Sequence, residues 1–334
     1  MARDCFMNGH VAKGAESDKK KKPMNARPTN VRWRVLLALA FTSFVAYVLR
    51  GNISLAAPEL IEDLSITPVQ LGYVLAAFLL GYSVFQFPGG ILGDKFGARK
   101  VLAIIAVLWT VTIVITVVVP GADVASVAVT VGALVVVRFL AGAVQAPIFP
   151  VMNVAVSRWF PVGGWGLPIG LTSTGLTLGF AAAAPVMAWL LAEFGWRVAF
   201  VAISPLGLIS AGLWWWYSRD NPADHPAVNA AEVELITAER PPIVLTPVNP
   251  PGWIRVLTNR NIILLTLSYT CSNYVFYEVF NWFHYYLIEV RQFDAQTAAF
   301  VTSSQWIAGA AGAALGGWLC DALCKSRGIR IGCR

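Results

Sequence analysis

Arg50 lies about two-thirds of the way through the first long apolar run of this 334-residue chain. In hydrocarbon an arginine costs roughly 2.5–3.5 kcal/mol at a helix centre unless it faces protein or a water-filled cavity. Its planar fork suits bidentate capture of a carboxylate. Tyr47 and Ser54, three and four residues away on the same helix face, could offer hydroxyls to a polyhydroxylated ligand. The competing reading is an arginine that snorkels to the outer surface. A later apolar run carries Asn273, Tyr277 and Asn281 at four-residue spacing, one polar stripe along a helix that either lines a cavity or serves packing. Glu278 in the same run is an intramembrane carboxylate. It reads as a proton-coupling group, as an ion-pair partner for Arg50 or Arg138, or as a glutamate reaching the outer polar face.

A second set of residues suits a conformational gate. Gly90-Ile91-Leu92-Gly93-Asp94-Lys95-Phe96-Gly97-Ala98-Arg99-Lys100 closes one apolar run, and Gly317-Trp318-Leu319-Cys320-Asp321 with Lys325 and Arg327 closes another. Both fit glycine, three residues, aspartate, then a basic cluster. Glycine permits close packing and a tight turn, and the aspartate can cap a neighbouring helix amino terminus or pair with a base. A short, positively charged loop is the plainer alternative.

The elements that must hold these residues are membrane spans. Hydrophobic residues make up 57% of the chain and charged residues 13%, and the mean hydropathy is +0.63, which excludes an ordinary soluble domain. Apolar runs at about 33–57, 68–89, 100–119, 127–150, 166–190, 197–216, 262–287 and 297–317 give eight spans. Residues 1–32 form a basic tail that includes Lys19 to Lys22. With that tail in the cytoplasm, Lys95, Arg99, Lys100, Arg158, Arg219, Arg240, Arg255, Arg260, Lys325, Arg327, Arg330 and Arg334 all fall on the same side. Only Arg197 and Arg291 fall opposite, among Glu59, Glu62, Asp63, Asp123, Glu193, Glu289 and Asp294. The net charge of +7 therefore points to topology, and to a tail that either meets an anionic lipid surface or is simply solvated, not to nucleic acid.

Residues 33–216 read as a six-helix bundle, 217–261 as a proline-rich cytoplasmic linker with a short helix over 227–239, and 262–334 as the first two helices of a second bundle. The repeated glycine–aspartate element supports two related halves. Five cysteines have no paired framework, and Cys320, Cys324 and Asp321 fit no standard metal spacing. The three histidines, His10, His225 and His284, make no catalytic constellation, so neither an enzyme nor a cofactor is expected.

The Gly90–Lys100 element resembles the signature loop of the major facilitator superfamily. Tyr47-Val48-Leu49-Arg50 with Ala56-Ala57-Pro58, Arg138-Phe139-Leu140-Ala141-Gly142, Ser157-Arg158-Trp159-Phe160-Pro161, and Arg219-Asp220-Asn221-Pro222 with His225-Pro226 together resemble its anion:cation symporter family. The likeness runs from about Arg34 to Arg330. It implies an all-α polytopic membrane protein of the major facilitator fold, with a complete six-helix first half and the opening two helices of the second. It also implies a monomer in the cell inner membrane that carries a small organic anion, a sugar acid or other carboxylate, with protons as the coupling partner.

In the resembling family, the residues that match Tyr47, Arg50 and Tyr82 help bind substrate; for Tyr82 alone, packing is the simpler reading. Many proton-coupled members have an aspartate before the arginine and a glutamate in the fourth span, where this chain has Leu49 and Gln145. The usual proton pair is therefore missing, and Glu278 is the candidate substitute. Gly163-Gly164-Trp165-Gly166 likewise replaces a charged cluster. A sensor on a transporter scaffold and an inactive, truncated carrier are the alternative functions.

Overall fold

The computed structural model describes residues 27–121, 124–238, 255 and 258–327. The Lys19–Lys22 run, the proline-rich stretch 239–254, Asp123, Arg330 and Arg334 lie outside the described residues. The rest is helical: α1 (Val31–Arg50), α2 (Asn52–Leu55), α3 (Ala57–Asp63), α4 (Pro68–Phe96), α5 (Ala98–Val117), α6 (Val127–Gln145), α7 (Ile148–Trp159), α8 (Gly166–Ile203), α9 (Pro205–Tyr217), α10 (Ala230–Thr237), α11 (Arg260–Glu289) and α12 (Ala295–Arg327).

Local chemistry sets the boundaries. Thr67 and Gln70 form a capping box at the start of α4, with Gln70 N–H donating to Thr67 Oγ1 at 3.2 Å and Thr67 N–H to Gln70 Oε1 at 2.8 Å. Gly97 ends α4 at φ 84°, a conformation that suits glycine, and α5 starts one residue later. The fourth span is broken around Ala146–Pro147 because proline has no N–H to continue the ladder. Residues 166–217 form a 52-residue helical stretch, long enough to cross twice; Gly195 at φ 73° divides it. Among the described residues six stretches are long and apolar enough to span a membrane. α11, although 30 residues long, is not among them, since its polar stripe lowers its hydropathy.

Several expected boundaries shift. The second span runs to Phe96 instead of residue 89, and the eighth to Arg327 instead of residue 317, because both glycine–aspartate elements continue the helix. The expected linker helix narrows to Ala230–Thr237.

α8 is the hub, packed against α1 on one side and α12 on the other. Glycine makes this possible: a Cβ at Gly175 or Gly179 would strike the carbonyl oxygens of Ala40 and Phe44. α4 and α6 cross in the same way, with Gly81 against the Phe139 carbonyl and Gly142 against the Phe78 carbonyl. Away from these contacts α5 presents Ile104, Leu108, Val111 and Ile115 outward, an apolar stripe at helical spacing for lipid.

The first linker residues are ordered against the bundle. Glu232, fully buried, accepts hydrogen bonds from Val31 N–H and Arg32 N–H, each at 3.0 Å, and so caps α1 from outside. Asn30, at the N-cap position with φ 58°, makes no side-chain cap of its own. His225 is buried between Trp159 and Tyr217; its Nε2 meets the Tyr217 carbonyl at 3.1 Å and its Nδ1 accepts from Ala227 N–H at 3.2 Å.

Candidate functional site

Arg50 is 3% exposed at the end of α1. Its Nη2 donates to the Tyr277 hydroxyl at 2.7 Å and its Nη1 to the Tyr47 hydroxyl at 3.3 Å. Five rings surround the guanidinium: Cζ lies 4.6 Å from the Phe78 centroid, 4.8 Å from Tyr82, 5.3 Å from Tyr47, 5.4 Å from Tyr277 and 5.9 Å from Phe280. Such cation–π contacts are worth about 2 kcal/mol or more when desolvated, which helps hold a cation that no carboxylate among the described residues neutralises. Beneath it Phe280 packs on Phe180 at 4.5 Å, and Phe180 on Trp306 at 4.9 Å.

The α11 stripe meets α1 and α2 here. Tyr277 bonds Arg50, and one turn on, Ser54 Oγ donates to Asn281 Oδ1 at 3.2 Å. Tyr47, Arg50, Tyr82, Tyr277 and Asn281 thus come together as the sequence suggested. Asn273 does not join them: its Nδ2 donates at 2.8 Å to the Tyr269 carbonyl of its own helix. Glu278 is exposed, one position round the helix from Tyr277, and forms no ion pair with Arg50 or Arg138. The ion-pair reading of Glu278 is therefore corrected. The snorkelling reading of Arg50 fails likewise, since the guanidinium is buried in the bundle.

The two glycine–aspartate elements behave differently. Asp321 accepts from Gly166 N–H at 2.9 Å and Leu167 N–H at 2.8 Å, so a carboxylate of α12 caps α8. Gly170 and Gly317 meet backbone to backbone one turn along. In the first copy, Asp94 is exposed beside a groove lined by Ser83, Gln86, Phe87, Gly90, Ile91 and Pro150. Asp94, expected to cap a neighbouring helix or pair with a base, does neither among the described residues; α5 is capped by Asp220, whose Oδ1 accepts from Arg99 N–H at 2.9 Å and whose carboxylate lies against Gly97. Helix continuation is common to both elements; what differs is placement, since Asp94 lies on the exposed face of α4. Arg99 donates to the Trp215 carbonyl from Nε at 3.0 Å and from Nη2 at 2.7 Å. Lys100 is not drawn into these contacts.

The buried cation ringed by tyrosines thus lies between a six-span bundle and two helices of a second. The family model of the Major Facilitator Superfamily matches residues 39–333. The chain belongs to this superfamily. It is 33% identical over 297 residues to a probable sulfoacetate transporter of Cupriavidus necator, covering 89% of this chain and 66% of that one. It is 32% identical to a probable galactarate/D-glucarate transporter of Escherichia coli K12, covering 90% and 68%. It is 29% identical to a hexuronate transporter of Bacillus subtilis, covering 87% and 65%. The chain therefore spans about 65% of the length of the curated relatives it matches. A bacterial homologue of the human lysosomal transporter Spinster shares the fold, with a TM-score of 0.67 at 19% identity over 88% of this chain and 63% of that one.

As a major facilitator protein the chain is a multi-pass membrane protein of a transporter family, not an enzyme, with distant homology to sugar-acid and organic-anion carriers. Sequence reasoning missed Phe78 and Phe280, which carry two of the five ring contacts to Arg50. Both stand in apolar runs where a phenylalanine has no distinguishing signal. Among the described residues no group of three or more His, Cys, Asp and Glu side chains could hold a metal.

Proposed function

We propose that this protein moves a small organic anion, a sugar acid or other carboxylate, across the cell inner membrane by alternating access, with its amino terminus in the cytoplasm and protons as the coupling ion. The observation that carries the reading is Arg50: a residue 3% exposed whose guanidinium is bonded to two tyrosine hydroxyls, with no carboxylate beside it among the described residues. Such a cation calls for an anion from outside the chain. The tyrosines hold the fork in place, and Tyr277 and Asn281 tie α11 to α1 and α2, so ligand at Arg50 would touch both halves that must move. The names of the relatives, carriers of hexuronates, aldarates and sulfoacetate, support the same class.

Glu278 is the proposed proton carrier, because the positions of Leu49 and Gln145 hold no acid. Uptake of labelled organic acids into vesicles, with and without a proton gradient, tests both assignments, on this chain and on one extended to its relatives' length. Arg50→Lys should sharply reduce uptake, since a point charge cannot replace the fork; unchanged uptake removes Arg50 from the site. Glu278→Gln should lose the response to the gradient, and a retained response removes Glu278.

A further inference from the structure

Arg50 is not the only unneutralised cation in this bundle. Arg138 on α6 is 7% exposed, and its Nε is buried with no hydrogen-bond partner. Its Cζ lies 4.8 Å from the centroid of Phe78, the ring that sits 4.6 Å from the Cζ of Arg50. The two guanidinium carbons are thus separated by no more than the sum of those distances. The ion pairs Arg32 with Glu232 and Arg197 with Asp63 lie elsewhere. Leu49, next to Arg50 in the chain, and Gln145, two turns after Arg138 on α6, are buried and carry no charge. Glu278 is exposed on α11.

The arrangement is built, not incidental. Gly142, one turn after Arg138, lets α6 touch the Phe78 carbonyl, so Arg138 is held beside that ring by backbone contact. Two like charges kept this close in a poorly polarisable setting repel each other and have each lost their water. A single carboxylate answers one of them and leaves the other buried without a counter-charge. A ligand with two acid groups answers both.

Building on the carboxylate site proposed above, we infer that the ligand is a dianion, one acid group on the fork of Arg50 and the other on Arg138. The hydroxylated dicarboxylates and the carboxylate–sulfonate acids have this chemistry; the uronates, with one acid group, do not.

The test uses the purified chain in detergent and two open-chain probes that differ in one acid group, D-glucarate and D-gluconate, titrated at neutral pH and constant ionic strength by calorimetry. D-glucarate is expected to bind at least about ten-fold more tightly, equivalent to about 1.4 kcal/mol. Arg138→Gln should collapse that preference, while Arg138→Lys, which keeps the charge, should retain part of it; both are checked for a monodisperse elution profile. Equal affinity in the parent protein, or a preference untouched by Arg138→Gln, overturns the dianion assignment and leaves the single-carboxylate site standing. Binding of neither probe overturns the carboxylate site and this inference with it.

Discussion

Asp321→Ala tests whether a single carboxylate of α12 holds the first turn of α8. Two backbone amides, Gly166 N–H and Leu167 N–H, donate to that carboxylate at 2.9 and 2.8 Å. Loss of an N-cap costs about 0.5–2 kcal/mol, and loss of a negative charge at a helix amino terminus about 0.3–1 kcal/mol more. Together these give about 1–3 kcal/mol, roughly a 5- to 150-fold change in the balance between docked and undocked α8. The side chain removed is small, and the Gly170–Gly317 backbone contact remains, so the helices keep their packing. The readout is amide hydrogen exchange by mass spectrometry over residues 164–170 in detergent, where faster opening should raise exchange by that factor. Asp321→Asn keeps one acceptor and loses the charge, and should fall between. If Asp321→Ala elutes as a folded monodisperse species and exchange over these residues is unchanged, the capping argument is wrong.

Two further outcomes follow from the geometry. A Cβ at Gly142 would strike the Phe78 carbonyl, whereas Gly132 has nothing within 4 Å. Gly142→Ala should therefore lower the thermal midpoint by the overpacking penalty of about 1–3 kcal/mol, with Gly132→Ala unchanged or slightly stabilised; equal midpoints would remove the close α4–α6 crossing. His225 has its pKa pushed down from the ordinary histidine value, chiefly by burial. Its neutral form fits the observed bonds, Nε2–H to Tyr217 and a lone pair on Nδ1 for Ala227. The unfolded chain then binds the proton more readily, so the contribution is full above about pH 6.5, the free-histidine value, and is lost as pH falls through that value toward the folded one. Thermal melts between pH 5 and 8 should show this decline, and His225→Gln should flatten it.

What could be read from the sequence depended on how unusual each residue was in its surroundings. Arg50 stood out because a charge in an apolar run demands an explanation, and Tyr277 and Asn281 stood out by spacing. Tyr82 entered only through resemblance, and the cation–π contact at 4.8 Å gives it a physical place. Phe78, which lies under both Arg50 and Arg138, was invisible because nothing separates it from its apolar neighbours. The capping of α5 by Asp220 was equally hidden, since it depends on where α4 ends and how α9 returns. The repeat made Asp94 and Asp321 look equivalent, and only the packing shows that Asp321 alone of the two makes the cap.

The cap on α1 bears on how the protein is made. Val31 N–H finds its acceptor on Glu232, 201 residues further along the chain. Ribosomes extend a chain at about 5–20 residues per second, so the first helix emerges with its leading amides unanswered for on the order of 10–40 seconds. Throughout that interval water or lipid headgroups at the membrane surface must satisfy them. The amino-terminal end of the first span therefore reaches its final state only after the six-span unit is complete, and any early break in synthesis leaves it uncapped.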